Sequence, residues 1–132
     1  MKVFIADNEK KVRNAIRVLV ESDGRFHICA EAANVQELFS YLNFSKPDIL
    51  LLDQSLYGMK ATPRTLETIR AVVPDIKIIV LSLDAQNKTL TLAADAMISK
   101  FSSPQNVVAT IEKFSPRSIS IPQRCNQSPC SL

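Results

Sequence analysis

The sequence has few of the residues from which structural metal sites and disulfide frameworks are built. It contains one histidine, His27, and three cysteines. These cysteines form neither a CxxC pair nor an even set, which argues against both a zinc site and a disulfide framework. The three are Cys29, Cys125 and Cys130. We interpret Cys29 as a small buried apolar residue and His27 as an ordinary strand residue.

Long hydrophobic runs are also missing. No apolar segment approaches the length that a bilayer requires, so the sequence predicts no membrane segment. The opening residues, MKVFIADNEK, include Asp7 and Glu9 and lack the apolar core of a secretory signal. We therefore expect a cytoplasmic protein.

Charge of one sign does not dominate the chain. Its 16 Lys and Arg residues against 13 Asp and Glu residues give a net charge of +3, and two of the arginines, Arg117 and Arg124, lie near the end. No cluster of basic residues is interleaved with aromatic ones, and no zinc-finger spacing is present. A helix-turn-helix module would also need on the order of 50 residues after residue 114. We expect no direct nucleic-acid binding by this chain.

What the sequence does contain is a regular alternation of short apolar runs and amphipathic segments. Strands are predicted at 3–6, 27–32, 49–52, 76–82 and 96–99. The first helix is predicted from Val12, Ala15, Ile16, Leu19 and Val20, which share one helical face. Later helices are predicted to start near Asn34, at Thr62-Pro63, near 86 and at Ser103-Pro104.

Five strand–helix units in series predict an α/β fold with a doubly wound, five-stranded parallel sheet of the flavodoxin-like kind, in strand order 2-1-3-4-5. Residues 1–114 would form this domain. Residues 115–132, SPRSISIPQRCNQSPCSL, are rich in proline and serine and have no helical period. We interpret them as a C-terminal tail or a truncated linker.

Polar side chains stand at the carboxyl ends of four predicted strands. In the predicted order these four strands are contiguous, so the side chains should converge on one cleft. Oxygen ligands suit Mg²⁺, an ammonium pairs with phosphate, and a carboxylate can act as a nucleophile toward a phosphoryl group. The residues are Asp7, Asn8, Asp53, Ser82 and Lys100.

These residues carry a resemblance to the receiver domain of two-component response regulators, and most of all to the NarL/FixJ group. The similarity extends over about residues 2–114 and is carried by VFIADNEKKVRNAIRVLVESD, EAANVQEL, KPDILLLDQSLYGM, IIVLS and AADAMISKFSSPQNVVATI. It implies a signalling domain rather than an enzyme, with slow self-dephosphorylation at most. It also implies phosphorylation by a histidine kinase or a phosphotransfer protein, and a possible homodimer.

The resemblance assigns a role to each matching position. Asp53 would be the phosphoacceptor, Ser82 the hydroxyl switch residue and Lys100 the phosphate-sensing lysine. Met97 stands where the family has its aromatic switch residue. The implied Mg²⁺ ligands are Asp7, Asn8, Asp53 and Ser55.

Four positions depart from the family pattern. Asn8 stands where a second acidic residue normally ligates the metal, so metal affinity should fall. A slipped alignment, with Asp7 as that second acid and Ala6 in place of the first, fits the first helix less well. Tyr57 and Ala61 replace a usual proline and glycine, and Met97 has no hydroxyl.

Two other functions are weighed against the phosphorylated receiver. A pseudo-receiver would keep the fold and bind partners without phosphorylation, and Asn8 and Met97 motivate this alternative. A stand-alone phosphatase with an aspartyl nucleophile is less favoured, because Asp53 has no second acid two residues further on to act as general acid.

Overall fold

The structure is a computed structural model, and it describes residues 1–83, 88–100 and 102–115. Strands and helices alternate along these residues as the sequence predicts. The strands are β1 (Lys2–Ala6), β2 (His27–Ala32), β3 (Ile49–Asp53), β4 (Lys77–Ser82) and β5 (Ala96–Ser99). The helices are α1 (Lys10–Ser22), α2 (Val35–Ser45), α3 (Pro63–Val72), α4 (Lys88–Ala93) and α5 (Pro104–Glu112).

All five strands form one parallel sheet in the order β2-β1-β3-β4-β5. This confirms the predicted fold class and strand order. The chain order reverses between β1 and β3, which are hydrogen-bonded neighbours. A crevice forms at such a reversal, beyond the carboxyl ends of the two strands, and it is the usual ligand position in sheets of this kind.

The core consists of two apolar layers, one on each face of the sheet. Side chains alternate between the faces along a strand. In β1, β3 and β4 the odd-numbered residues pack with α1 and α5, and the even-numbered ones pack with α2, α3 and α4. In β5 the parity is reversed, because Ile98 belongs to the α1–α5 layer and Met97 packs against the other.

Two helices, α2 and α3, begin at residues whose side chains cap the helix. The side chain of Asn34 accepts a hydrogen bond from the Glu37 backbone N–H, and Glu37 in turn accepts one from the Ala33 N–H at 2.8 Å. Thr62 and Thr65 form a reciprocal capping box, with Pro63 at the first helical position. Both starts satisfy backbone donors that a helix leaves unpaired.

Three details differ from the prediction or lie outside what is described. Ala15, which we expected on the buried face of α1, is exposed. The predicted fourth helix begins at 86, but the described part starts at Lys88. Ser115, the first residue of the predicted tail, is buried and donates its N–H to the Glu112 carbonyl at 3.1 Å. The other tail residues are not described, so the division at 114 stays a prediction.

The helices of the described residues are short. The longest, α1, has 13 residues. Among the described residues, none of the helices combines the length and the apolar composition that crossing a bilayer would require.

Candidate functional site

Two carboxylates and one ammonium group lie together at the carboxyl ends of β1, β3 and β5. The Nζ atom of Lys100 is 3.0 Å from Asp53 Oδ2 and 3.1 Å from Asp7 Oδ2. The side chain of Asp7 is 0% exposed, that of Asp53 4% and that of Lys100 14%. We call these three residues the carboxylate–lysine cluster.

Strand parity brings this cluster together. Asp7 follows β1 and Asp53 ends β3, and both continue the odd-numbered positions that face α1 and α5. Lys100 comes two residues after Ile98, and in β5 it is the even-numbered positions that face α1 and α5. The three side chains therefore leave the sheet on the same face and meet at the carboxyl edge, where the sequence predicts that they converge.

Backbone donors hold the two carboxylates in place. The Ser55 N–H donates to Asp53 Oδ1 at 3.0 Å, and the Glu9 N–H donates to Asp7 Oδ1 at 2.8 Å. Asp7 Oδ2 is the one buried side-chain oxygen or nitrogen of the described residues without a hydrogen bond, so its ion pair with Lys100 is its main compensation. Both carboxylates are thus fixed before any ligand arrives.

Burial and charge shift two pKa values in the cluster. Burial is the main cause that raises the pKa of Asp7 above 3.8, and the charge of Asp53 adds to it, while the Glu9 N–H and Lys100 oppose the rise. Burial alone would lower the pKa of Lys100. The hydrogen bond to Asp53, the ion pair with Asp7 and the charges of both carboxylates outweigh this effect and raise the pKa above 10.5. Lys100 is therefore a permanent cation at neutral pH.

Asn8 is bonded to the loop that follows β3. Its Nδ2 donates to the Ser55 carbonyl oxygen at 2.9 Å, and its Oδ1 accepts from the Tyr57 N–H at 2.7 Å. Its amide therefore joins the β1–α1 turn to the β3–α3 loop. We call this pair of hydrogen bonds the Asn8 bridge.

The bridge bears on the predicted Mg²⁺ ligands, Asp7, Asn8, Asp53 and Ser55. Within the described residues, no three His, Cys, Asp or Glu side chains are grouped to hold a metal ion. The amide of Asn8 and the carbonyl of Ser55 are bonded to each other, and Lys100 lies between the two carboxylates. The four residues are close together, but as arranged they do not fit a cation as a set. That they bind Mg²⁺ stays a prediction.

Ser82 lies on the opposite face of the sheet from the carboxylate–lysine cluster. It ends β4 on the α2–α3–α4 face, and its hydroxyl donates to Oε1 of Gln54. Met97, on the neighbouring strand β5, packs against the same layer, and its sulfur accepts a hydrogen bond from the Thr91 hydroxyl at 2.9 Å. We call Gln54, Ser82 and Met97 the hydroxyl side of the site.

Gln54 and Arg13 also contribute to the site and are not among the residues predicted from the sequence. Oε1 of Gln54 accepts a hydrogen bond from the Ser82 hydroxyl. The register of β3 and β4 is the signal that could have found this contact. Asp53 pairs with Leu81, so the residues that follow them, Gln54 and Ser82, are neighbours. Arg13 donates from Nη1 to the Asp7 carbonyl at 2.5 Å and so anchors the β1–α1 turn. Nothing in its spacing distinguishes Arg13 from the other basic residues of α1.

An open groove reaches Lys100 of the carboxylate–lysine cluster from outside. It runs between α1 and the start of α5, and Lys100 lies in its wall. Exposed Ala15 lines it together with Lys11, Val12, Leu83, Ser102 and Val107. The groove leaves Ala15 uncovered, and Lys100 is the member of the carboxylate–lysine cluster that lines it.

Comparison with known proteins identifies the family. A model of the response regulator receiver domain matches residues 3–112. The nitrate/nitrite response regulator protein homolog of Haemophilus influenzae is 30% identical over 118 residues, which cover 86% of this chain and 56% of that protein. Response regulator UvrY of Escherichia coli is 27% identical over 115 residues, which cover 84% of this chain and 52% of that protein.

Solved structures agree with this result. The crystal structure of a DNA-binding response regulator of the LuxR family from Staphylococcus aureus superposes with a TM-score of 0.75 at 25% identity, and covers 86% of this chain and 97% of that one.

The chain spans about half the length of the curated relatives named above. Receiver domains interact with histidine kinases, generally bind Mg²⁺ where they are phosphorylated, and are signalling domains that are not generally enzymes. The resemblance found in the sequence is confirmed. The chain belongs to the response regulator receiver domain family of two-component systems.

Proposed function

We propose that this receiver domain accepts a phosphoryl group on Asp53 from a histidine kinase or a phosphotransfer protein, and that phosphorylation changes its binding to a partner. The observation that carries the proposal is the contact of Lys100 Nζ with both buried carboxylates, at 3.0 and 3.1 Å. A buried carboxylate repels an incoming phosphoryl group. An ammonium group fixed beside it offsets that repulsion.

The transfer is a substitution at phosphorus. A carboxylate oxygen of Asp53 attacks the phosphorus atom and forms a new P–O bond. The bond from phosphorus to the donor's histidine nitrogen breaks, and its electron pair leaves on that nitrogen. The product is an acyl phosphate whose added negative charge lies next to Lys100.

Positioning supports this step as much as charge does. Each oxygen of Asp53 accepts one hydrogen bond, from the Ser55 N–H and from Lys100. The carboxylate therefore has a fixed orientation before the donor binds. We propose that the donor approaches along the groove between α1 and α5, which Lys100 lines.

Mg²⁺ enters the proposal only as a general property of the receiver domain family. When bound, a divalent cation offsets negative charge on the phosphoryl oxygens. Asp7 and Asp53 are the carboxylates of this chain that could face it. The positive charge that this chain itself supplies to the step comes from Lys100.

The signal would pass to the hydroxyl side. We propose that the Ser82 hydroxyl turns from Gln54 toward a phosphoryl oxygen on Asp53, and that Met97 and the α4–β5 region shift with it. The responding partner is another protein, which can be a second copy of this chain. We place these events in the cytoplasm, and we assign DNA binding to no part of this chain.

A second candidate function is a pseudo-receiver that binds partners without phosphorylation. The Asn8 bridge favours this candidate, because it bonds two predicted metal ligands, Asn8 and Ser55, to each other. In that case an Asp53→Asn variant would bind the partner as well as the wild type does.

Intact-mass spectrometry tests the main proposal. The full chain is incubated with a small acyl phosphate, and in parallel with a phosphorylated histidine kinase. We expect a single phosphoryl adduct on the wild type and on Asp75→Asn, an exposed control. We expect none on Asp53→Asn. An adduct of equal yield on Asp53→Asn, or no adduct on the wild type with either donor, would refute the proposal.

A further inference from the structure

Asn8 does more than replace a missing acid. We infer that it is a positioning residue whose amide joins the two loops at the site by hydrogen bonds, so that the loop geometry does not depend on a bound cation. The inference concerns the site of the proposed function, but it holds or fails independently of phosphorylation at Asp53.

The partners of Asn8 fix the orientation of its amide. Nδ2 faces a carbonyl oxygen, that of Ser55, and Oδ1 faces a backbone N–H, that of Tyr57. A flipped amide would place oxygen against oxygen and N–H against N–H. Only the observed orientation satisfies both contacts, and it uses the amide oxygen that a cation would need.

The loop that Asn8 holds is also attached on its other side. The Tyr57 carbonyl accepts from the Val35 N–H at 2.8 Å, and Gly58 adopts a φ of +87°. A Cβ at Gly58 would stand 2.5 Å from Cγ1 of Val35, so the loop passes close against the start of α2. Asn8 is thus one of several attachments that set the path of residues 55–58.

A carboxylate at position 8 could not make the same bridge. It has no N–H to donate, so one of its oxygens would face the Ser55 carbonyl oxygen without a hydrogen between them. A divalent cation placed between those oxygens would remove the repulsion and could add Asp53 to its ligands. An asparagine at position 8 therefore joins the two loops without a metal ion, whereas an aspartate would need one to join them.

Thermal unfolding of the full chain, with and without MgCl₂, tests the inference. For the wild type we expect a Tm that Mg²⁺ leaves unchanged. For Asn8→Asp we expect a lower Tm without Mg²⁺, a recovery of Tm when Mg²⁺ is added, and Mg²⁺ affinity by calorimetry higher by roughly tenfold or more. Asn8→Ala should lose stability under both conditions, because its two hydrogen bonds are absent.

Asn43→Asp is the matched control, since Asn43 is exposed on α2 and the substitution adds the same charge away from the site. It should show no response to Mg²⁺ beyond that of the wild type. A second readout is hydrogen exchange at the Tyr57 amide, which should be protected in metal-free wild type and exposed in Asn8→Ala.

Three results would overturn the inference: a wild-type Tm that rises with Mg²⁺ as much as that of Asn8→Asp, full stability of metal-free Asn8→Asp, or an unprotected Tyr57 amide. None of these results depends on a phosphodonor. A wild type that takes phosphate on Asp53 but fails these tests would keep the proposed function and lose the bridge, and the converse result would do the opposite.

Discussion

The loop after β3 is attached to both of its neighbouring strands, but in different ways. On the β1 side, Asn8 bonds to two backbone groups, at Ser55 and Tyr57. On the β4 side, the Gln54 N–H donates to the Leu81 carbonyl at 2.8 Å, and the Ser82 hydroxyl adds a bond between two side chains by donating to Gln54. Backbone partners in a loop attached at both ends have little freedom, whereas a hydroxyl can rotate to another acceptor.

This difference separates the two tasks of the site. The carboxylate–lysine cluster lies on the α1–α5 face of the sheet, where a fixed geometry favours phosphoryl transfer. The hydroxyl side lies on the opposite face of the sheet, and a bond that can be exchanged there would let it report the new phosphoryl group. We therefore predict that substitutions in the two groups change different properties: stability and chemistry for the carboxylate–lysine cluster and Asn8, and the response for the hydroxyl side.

The largest effect should come from Lys100→Met. It leaves the buried carboxylates of Asp7 and Asp53 side by side without their cation, which should lower the free energy of unfolding by on the order of 3 kcal/mol. Urea denaturation at neutral pH measures this loss. Lys60→Met, at an exposed position, should stay within about 0.5 kcal/mol of the wild type. Equal stability of the two variants would show that Lys100 does not hold the carboxylates together.

The next effect should be a gain in stability from Asp7→Asn, of about 1 kcal/mol at pH 7, because the substitution removes a buried charge whose Oδ2 has no hydrogen bond. The sign follows from the pKa. The pKa of Asp7 is higher in the folded protein than its ordinary value of 3.8, so the folded state favours the protonated carboxyl. The stability that protonated Asp7 contributes is complete below pH 3.8 and is lost as pH rises through the pKa of the folded state.

The gain from Asp7→Asn should therefore shrink as pH falls and vanish below 3.8, where Asp7 is protonated in both states. Denaturation at a series of pH values checks this. A gain that did not change with pH would mean that burial of the Asp7 charge is not its cause, and a loss at pH 7 would mean that the ion pair with Lys100 outweighs burial.

The smallest effect should be that of Gln54→Leu, which removes one acceptor of the Ser82 hydroxyl. We expect a loss of at most about 1 kcal/mol in the free energy of unfolding. In the phosphorylated protein the loss should be smaller, because Ser82 would by then have turned to the phosphoryl group. Gln36→Leu, on the exposed face of α2, is the control. The same loss in both states would contradict an exchange of partners.

The fold and the carboxylate–lysine cluster could be predicted from the sequence because both follow from periodicity. Apolar runs of strand length place Asp53 at the end of β3, and the strand order brings Asp7 and Lys100 to the same edge. The roles of these residues, as phosphoacceptor and as phosphate sensor, stay predictions. Their positions do not depend on the path of any loop.

The Asn8 bridge could not be predicted in this way. Its partners are backbone groups of a loop whose path depends on the φ of Gly58 and on a contact with Val35, and neither has a periodic signal. Exposed Ala15 was mispredicted for a related reason. The spacing of apolar residues predicts the buried face of a helix, but Ala15 of that face lines the groove beside α5 and stays uncovered.

Two-dimensional ¹H–¹⁵N NMR of the wild type, before and after reaction with a small acyl phosphate, tests most directly the claim that one side of the site is fixed and the other responds. We predict large shifts for the backbone amides of Ser82 and Met97, and small ones for Asn8 and Tyr57, once the phosphoryl adduct is confirmed by mass. Shifts at Asn8 and Tyr57 as large as those at Ser82 and Met97 would contradict the account.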